Sequence, residues 1–206
     1  MSRAEESQQA ENRAPRPARL VLTGFRATGK SLVGRRLARR IGYDFLDTDE
    51  ELCRRLGMDV AALVARHGWQ RFRQEERLLL AGLAGRDNLV VATGGGAIMH
   101  RREWRLLRAR GAVIWLRADP ETIVRRMAAD QATAGQRPPL TGRNPAAETV
   151  ALLAERTPFY LRGSDMAVDT VGRSPETLVV EILDRLRENG SMPSAGAGAA
   201  VEERSQ

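Results

Sequence analysis

The segment GFRATGKS, residues 24–31, decides how this chain folds. It matches the pattern G-x-x-x-x-G-K-[ST], and it stands between an apolar strand candidate, Leu20–Thr23, and an amphipathic helix candidate that begins at Lys30. In that setting the glycines let backbone N–H groups converge on phosphate oxygens, and the helix N-terminus adds the positive end of its dipole. The segment therefore predicts a phosphate-binding loop within an α/β fold.

The lysine of this loop is informative because the chain otherwise avoids lysine. Of 33 Lys and Arg residues, Lys30 is the one lysine and the other 32 are arginine. A lysine ammonium is a compact point charge and an arginine a broad planar fork, so a position that keeps lysine indicates a site that an arginine does not fit. We expect Lys30 to reach the β- and γ-phosphates of ATP and the Ser31 hydroxyl to ligate Mg²⁺. The expected nucleotide-binding residues of the loop are Ala27, Thr28, Gly29, Lys30, Ser31 and Leu32.

Strand and helix candidates alternate along the rest of the chain. The strand candidates are Leu20–Thr23, Tyr43–Leu46, Leu89–Ala92, Ala112–Leu116 and Met166–Val168. The helix candidates after the one at Lys30 include Trp69–Leu83, Pro120–Ala129, Pro145–Tyr160 and Pro175–Arg187. This order, together with the phosphate loop, predicts an α/β P-loop fold with a parallel sheet of about five strands and helices on both faces. Ligands of such sheets bind at the carboxyl ends of the strands.

We expect a single domain over residues 19–188, with polar, aperiodic tails at 1–18 and 189–206 that read as disordered. The chain is 42% hydrophobic and 29% charged, as in an ordinary globular protein, and it contains no apolar run long enough to cross a bilayer. Its single cysteine, Cys53, cannot form an internal disulfide, and the N-terminus lacks the apolar core of a secretory signal. These features predict a cytoplasmic protein with no membrane partner.

The net charge of +7 suits either nucleic acid or an anionic small substrate. The basic residues are scattered rather than gathered in one block, and aromatic residues make up only 4% of the chain, so few bases would find a stacking partner. The composition therefore favours a small anion and disfavours a nucleic-acid partner.

Two further segments follow strand candidates at the end of the sheet where ligands bind. The carboxylates of Asp47 and Asp49 are two residues apart, and in an extended segment they would point the same way, one toward a Mg²⁺ water shell and one toward an attacking hydroxyl. The same residues, followed by Glu50, also suit a helix N-cap, and the two interpretations stay open. The run Gly94–Gly96 after Thr93 allows close backbone approach to a ligand, although without further context a flexible turn is the favoured interpretation of three glycines.

Taken together, these segments resemble the shikimate kinase family, in particular its subgroup with a tryptophan before a Phe-Arg pair. The resemblance covers residues from about 19 to 187, and the order and spacing of its segments make it specific. The segments are Gly24–Ser31, Asp47–Asp49, Trp69–Glu76, Ala92–Gly96, Arg137–Gly142 and Glu155–Tyr160. One departure lies in the phosphate loop, where Ala27 stands in a stretch that is richer in glycine and small residues in the family.

The resemblance implies roles for the acceptor side. Asp49 matches the residue that binds the ring hydroxyl and serves as its base or orienter, and Asp47 matches the aspartate that helps to hold Mg²⁺. Arg73 and Arg156 match the two arginines that grip the shikimate carboxylate, a task suited to bidentate forks. Gly95 matches a backbone contact to the substrate. Chemistry alone favours Arg73 and Arg156 as solvated helix-face arginines, like most of the other arginines of the chain, and only the resemblance singles them out.

The resemblance also implies roles on the nucleotide side. Arg137 matches an arginine of a lid, here about residues 129–143, that folds over the ATP phosphates and stabilises the charge in transfer. Arg173 matches a residue near the adenine. The implied enzyme is an ATP- and Mg²⁺-dependent kinase of shikimate in aromatic amino-acid biosynthesis, and a monomer. The implied architecture is a P-loop kinase fold with a mobile lid and a substrate-binding subdomain.

Three other functions remain open at this point. A related small-molecule kinase, such as one acting on gluconate, would share the loop and the lid. A regulatory protein could bind the nucleotide without turnover, and a nucleic-acid binder could act through net charge alone.

The two histidines, His67 and His100, lack a partner pattern for catalysis or metal binding, so both are predicted to be surface or loop residues.

Overall fold

The computed structural model describes residues 17–129 and 145–189. Residues 1–16, 130–144 and 190–206 lie outside this part, so nearly all of both predicted tails and of the predicted lid, with Arg137, fall outside the described residues.

The described chain forms one parallel sheet of five strands in the order β2-β3-β1-β4-β5. The strands are β1 (Arg19–Thr23), β2 (Asp44–Asp47), β3 (Leu89–Ala92), β4 (Gly111–Arg117) and β5 (Met166–Asp169). All five predicted strands are present, and no predicted end is displaced by more than one residue. In the centre of the sheet, Leu20 of β1 pairs with Val90 of β3 on one side and with Ala112 of β4 on the other.

The helices connect the strands. They are α1 (Lys30–Ile41), α2 (Thr48–Leu56), α3 (Val60–Leu83), α4 (Arg101–Arg108), α5 (Pro120–Ala129), α6 (Pro145–Gly163) and α7 (Pro175–Glu188), with a short 3₁₀ turn at Ala97–Met99. Helix α3 begins nine residues before the predicted start at Trp69, but Gly68 interrupts it with a left-handed φ of 75°. The predicted start is therefore the beginning of the second, straight part of α3, after a kink that glycine permits.

Both faces of the sheet are covered, as predicted. On one face, α1 and α7 pack against alternate strand residues such as Leu20, Leu22 and Ile114. On the other face, α3, α4 and α6 pack against the residues between them, such as Val21 and Val113. Because successive side chains of a strand point to opposite faces, a strand buried on both faces reads as a continuous apolar run. For this reason, apolar runs in the sequence are sufficient to predict these short strands.

All five strands point the same way, so the segments that follow them meet at one edge of the sheet. The phosphate loop follows β1, the Asp47–Asp49 segment ends β2, and the glycine run follows β3. We call this the carboxyl edge. Within the described residues, no helix is long and apolar enough to span a membrane.

Candidate active site

The phosphate loop is folded by three residues with positive φ. Gly24 has φ 135°, and a Cβ built there would lie 2.2 Å from the carbonyl oxygen of Leu116 on β4. Gly29 has φ 86° and is the N-cap of α1. Ala27 also lies in the left-handed region, with φ 61°, at a cost that a glycine would avoid. The loop therefore has positive φ at all three positions, although one of them is an alanine.

The start of α1 suits an anion. Gly29 offers no side-chain hydrogen bond to the first turn of α1, which contains no acidic residue. The Nζ of Lys30 donates to the carbonyl oxygen of Phe25 at 2.7 Å, across the loop, and the Oγ1 of buried Thr28 donates to the same oxygen at 2.8 Å. Leu32 is 48% exposed. The positive charge of Lys30 thus lies at the loop, next to a helix start whose N–H groups have no side-chain cap and no acidic neighbour in the first turn.

The Asp47–Asp49 segment is not extended throughout, because a helix begins at Thr48, so the premise on which the two carboxylates were expected to point the same way is wrong. Asp47 ends β2 and is the N-cap of α2, and its Oδ1 accepts from the N–H groups of Asp49 at 2.9 Å and Glu50 at 3.3 Å. Asp49 therefore lies in the first turn of α2. The N-cap interpretation is confirmed, because the orphan N–H groups of a buried helix start need an acceptor.

Capping leaves the second oxygen of Asp47 for the phosphate loop. Its Oδ2 accepts from the Ser31 hydroxyl at 2.5 Å. The two residues predicted as metal ligands, Ser31 and Asp47, are thus in direct contact, and both offer oxygen atoms of the kind that Mg²⁺ prefers.

The glycine run is held close to its neighbours rather than being a loose turn. The N–H of Gly94 donates to the Oγ1 of Thr48 at 2.9 Å, which joins the glycine run to the start of α2. A Cβ at Gly95 would lie 3.3 Å from the Gly24 carbonyl oxygen, and one at Gly96 would lie 2.6 Å from an Arg73 nitrogen. A side chain at either position would displace its neighbour, and at Gly96 that neighbour is the guanidinium of Arg73.

A cavity at the carboxyl edge brings together three of the predicted acceptor residues, Arg73, Gly95 and Arg156. Its walls also include aromatic side chains, a further arginine and a buried carboxylate. The remaining lining residues are Phe25, Arg26, Trp69, Phe72, Gly96, Glu148 and Leu152. Asp49 does not line this cavity in the structure, but its neighbour Thr48 contacts the glycine run. The cavity combines positive charge with apolar walls, which suits a small organic anion.

A buried carboxylate holds Arg73 in place. The Nη1 of Arg73 donates to Oε2 of Glu76 at 2.7 Å, and the Nε2 of His100 lies 2.7 Å from the same oxygen. Glu76 is 1% and His100 8% exposed. His100 is thus a loop residue, one of the two predicted alternatives, but it is buried rather than at the surface. Burial acts to raise the pKa of Glu76, but the contacts with His100 and Arg73 outweigh it and hold the pKa below its ordinary value.

Arg156 and Tyr160 lie one helical turn apart on α6 and both meet the glycine run. The Tyr160 hydroxyl donates to the Gly95 carbonyl oxygen at 2.6 Å, and its ring stacks on Trp115 of β4 at 5.5 Å. Arg156 lies 5.7 Å above the Phe25 ring. Burial raises the pKa of Tyr160 to about 12, although the nearby charge of Arg156 acts to lower it. The phenol therefore stays a hydrogen-bond donor to Gly95.

The turn after β5 lies beside the phosphate loop. Arg126 of α5 donates to the Ala27 carbonyl oxygen at 3.3 Å and to the Thr170 carbonyl oxygen at 2.7 Å, so it ties the phosphate loop to this turn. Arg173 lies in the same turn, pairs with Glu181 of α7 and is 30% exposed. This places Arg173 on the phosphate-loop side of the sheet edge.

The sequence profile of the shikimate kinase family matches residues 26–187. This chain belongs to the shikimate kinase family. The shikimate kinase of Nitratidesulfovibrio vulgaris is 42% identical over 168 residues, which cover 82% of this chain and 94% of that protein. The shikimate kinase of Symbiobacterium thermophilum is 40% identical over 171 residues, covering 83% and 97% respectively.

Solved structures agree with this membership of the shikimate kinase family. The structure of a shikimate kinase from Acinetobacter baumannii in complex with shikimate has a TM-score of 0.78 and 32% identity, and the match covers 87% of this chain and 98% of that one. A gluconokinase from Sinorhizobium meliloti has a TM-score of 0.50 at 20% identity, which shows a shared fold alone. The predicted P-loop kinase fold is confirmed.

Several residues of the candidate site were not singled out from the sequence. Glu76 lies three residues after Arg73 and Tyr160 four after Arg156, spacings that place each pair on one helix face and that offered a usable signal. Arg126 and His100 offered none, because each finds its partner across the fold, 99 residues away for Arg126 and Ala27, and 24 for His100 and Glu76.

Proposed function

We propose that this chain transfers the γ-phosphoryl group of ATP to the 3-hydroxyl of shikimate, giving shikimate 3-phosphate and ADP. The observation that carries this proposal is the cavity at the carboxyl edge, where Arg73, Arg156 and Gly95 meet beside the phosphate loop. A donor site for phosphate and a cationic pocket for an acceptor thus share one edge of the sheet. Family membership supports the same reaction.

On the donor side, shikimate kinases use ATP, and we assign its phosphates to the backbone of residues 27–32. Lys30, now bonded to the Phe25 carbonyl, would exchange that contact for the β- and γ-phosphates. Arg137 is proposed to close over the phosphates and to stabilise the charge in transfer, although it lies outside the described residues. Arg173 is proposed to lie beside the adenine, on the turn that Arg126 ties to the loop.

Ser31 and Asp47 are proposed to hold Mg²⁺, by contact or through its water shell. The donor set fits a hard cation, because it consists of a hydroxyl and a carboxylate that already lie 2.5 Å apart at the start of α1. Bound Mg²⁺ would neutralise phosphate charge. Oδ1 of Asp47 accepts from the N–H groups of Asp49 and Glu50, so the carboxylate would meet the metal from a fixed position.

On the acceptor side, the guanidinium groups of Arg73 and Arg156 are proposed to bind the shikimate carboxylate, and the backbone of Gly95 to contact the ring. Asp49 would orient or deprotonate the 3-hydroxyl for in-line attack on the γ-phosphorus. Its place in the first turn of α2 gives it a fixed backbone, and Thr48 joins that backbone to the glycine run. The positive helix N-terminus also favours an ionised carboxylate there.

We further propose that the chain falls in the tryptophan-containing subgroup of the family and acts as a cytoplasmic monomer with no nucleic-acid partner. The support for the subgroup is local. Trp69 packs edge-on against Phe72 with ring centroids 5.7 Å apart, and the Arg73 guanidinium lies 5.7 Å from the Trp69 ring. The tryptophan thus shapes the wall of the acceptor cavity.

The experiment that tests this function is a product analysis. The protein is incubated with MgATP and shikimate, and in parallel with MgATP and gluconate, and the products are identified by mass spectrometry. We expect a mono-phosphorylated shikimate and no phosphogluconate. Phosphorylation of gluconate alone would assign the related sugar-acid kinase activity, and binding of ATP with no phosphorylated acceptor would assign the regulatory function.

A further inference from the structure

We propose that His100 is a positioning residue for the acceptor carboxylate, acting through Glu76 on Arg73. The inference rests on the proposed function in one respect, which is that Arg73 binds the carboxylate of the acceptor. It adds a residue of another element, outside the acceptor set, that determines how well Arg73 does so.

The contact is buried and short. The His100 imidazole and the Glu76 carboxylate are 8% and 1% exposed, and Nε2 and Oε2 lie 2.7 Å apart. An ionised carboxylate only accepts hydrogen bonds, so Nε2 of His100 carries the hydrogen in this contact. The Nη1 of Arg73 donates to the same Oε2, also at 2.7 Å. The Oε2 atom of Glu76 therefore accepts from two donors, His100 and Arg73, and these two contacts set the orientation of the carboxylate.

The rest of the carboxylate does little to fix its orientation. The Oε1 of Glu76 is buried and has no hydrogen-bond partner among the described residues. If the His100 donor is lost, the carboxylate keeps Arg73 as its hydrogen-bond partner there and can turn about its own side-chain torsions, taking the guanidinium with it. Buried charges held by few contacts are sensitive to the loss of one.

The position of Arg73 matters because its surroundings are tight. Its guanidinium packs against Gly96, where even a Cβ would come within 2.6 Å, and lies 5.3 Å from the Phe72 ring. A small rotation at Glu76 thus moves the guanidinium between the glycine run and the aromatic wall of the cavity. Bidentate recognition of a carboxylate depends strongly on such alignment.

His100 also connects two parts of the acceptor site that are far apart in the chain. It follows the glycine run and the 3₁₀ turn Ala97–Met99, and it is the N-cap residue of α4, whereas Glu76 lies in α3. The imidazole is thus a link from the loop that presents Gly95 to the helix that presents Arg73. This gives His100 a means of keeping the two acceptor contacts in register.

The test compares His100→Gln with His100→Asn. The amide nitrogen of glutamine reaches about as far as Nε2 of histidine, whereas that of asparagine reaches only as far as Nδ1, so only the glutamine variant keeps a donor to Glu76. The two variants are otherwise alike in polarity. The matched control is His67→Asn, at the exposed second histidine of the chain. For each protein kcat, the KM for shikimate and the KM for ATP are measured.

We expect His100→Asn to raise the KM for shikimate by about three- to tenfold, with kcat and the KM for ATP within about twofold of wild type. His100→Gln and His67→Asn should stay within about twofold of wild type in all three parameters. Equal shikimate KM values in the two His100 variants would overturn the proposal. So would a loss confined to kcat, or an equal rise in both KM values, since either indicates a purely structural role.

The product analysis of wild-type protein keeps this test separate from the proposed function. If the wild-type protein phosphorylates a different carboxylated acceptor, the assignment to shikimate fails, and the same His100 comparison made with that acceptor still decides the positioning role. If the acceptor that the enzyme uses has no carboxylate, the positioning proposal is overturned as well.

Discussion

At the scale of single residues, we expect Lys30 to contribute most to phosphoryl transfer. It is the one lysine in a chain with 32 arginines, and its Nζ already spans the phosphate loop to the Phe25 carbonyl. We expect Lys30→Met to lower kcat by at least about a hundredfold, because the transferring charge loses its fixed cation. Steady-state kinetics of folded protein, checked by circular dichroism, measures this effect.

The companion variant is Lys30→Arg, which keeps the charge and changes its shape. It too should lose most activity, since the planar fork does not fit a loop built around a point charge. Turnover close to wild type in Lys30→Met would remove the phosphate loop from the mechanism, and full activity in Lys30→Arg would show that charge alone is sufficient.

A second residue-scale prediction concerns the acceptor arginines. Arg73→Ala and Arg156→Ala should each raise the KM for shikimate by about ten- to a hundredfold, the loss expected for a charged hydrogen-bonded pair, and leave the KM for ATP nearly unchanged. Calorimetric titration with shikimate gives the same comparison as a dissociation constant.

The control for these arginines is Arg71→Ala. Arg71 lies two residues before Arg73 on α3, but it is 53% exposed and pairs with Glu75. Its loss should leave both KM values unchanged. An equal rise in all three variants would show that net charge, rather than the two assigned guanidinium groups, attracts the acceptor.

At the scale of elements, two glycines inside helices have opposite surroundings. One lies in α1, which supports the phosphate loop, and the other in α3, which supports the acceptor cavity. Gly34 faces the sheet from α1, where a Cβ would lie 2.6 Å from the Phe45 ring and 3.1 Å from a Leu22 methyl group. Gly82 lies exposed near the end of α3, where a Cβ would meet nothing within 4 Å. The same substitution should therefore have opposite effects.

We expect Gly34→Ala to lower the free energy of unfolding by about 1–2 kcal/mol through overpacking. Gly82→Ala should raise it by about 0.5–1 kcal/mol, because alanine loses less backbone entropy in a helix. Urea denaturation of the two variants and the wild type measures both changes. A stabilised Gly34→Ala would mean that α1 stands farther from β1 and β2 than the structure places it.

At the scale of the whole molecule, the composition leaves few groups that can change the free energy of unfolding at alkaline pH. Arginine stays protonated, and the chain has one lysine and two tyrosines, so few side chains titrate there. Burial raises the pKa of Tyr160 from 10.0 to about 12. Its contribution to stability is therefore complete below pH 10 and lost as the pH rises toward 12, because the unfolded chain releases the proton first.

The loss corresponds to about 2–3 kcal/mol in the free energy of unfolding between pH 10 and 12. Denaturation at a series of pH values should show it in wild type and in Tyr43→Phe, at the half-buried second tyrosine. Tyr160→Phe should lack it, and it should be less stable than wild type at pH 8, because the buried Gly95 carbonyl loses its donor. A pH profile unchanged by Tyr160→Phe would contradict the assignment.

The sequence by itself determined the features that depend on neighbours along the chain. Local residue spacing predicts the phosphate loop. Short apolar runs predict the five strands and the parallel sheet, because a strand that is buried on both faces is apolar throughout. The roles proposed for Arg73, Arg156, Arg137 and Arg173 came from family resemblance, since one arginine among 32 has no distinguishing chemistry of its own.

Only the tertiary structure decided how the site is held together. The bonds from Ser31 to Asp47, from Tyr160 to Gly95 and from His100 to Glu76 join residues 16 to 65 positions apart. Each of these residue types is common, and nothing in its local sequence states which partner it meets. The sheet places five chain segments at one edge, and it is this placement that turns common polar residues into partners.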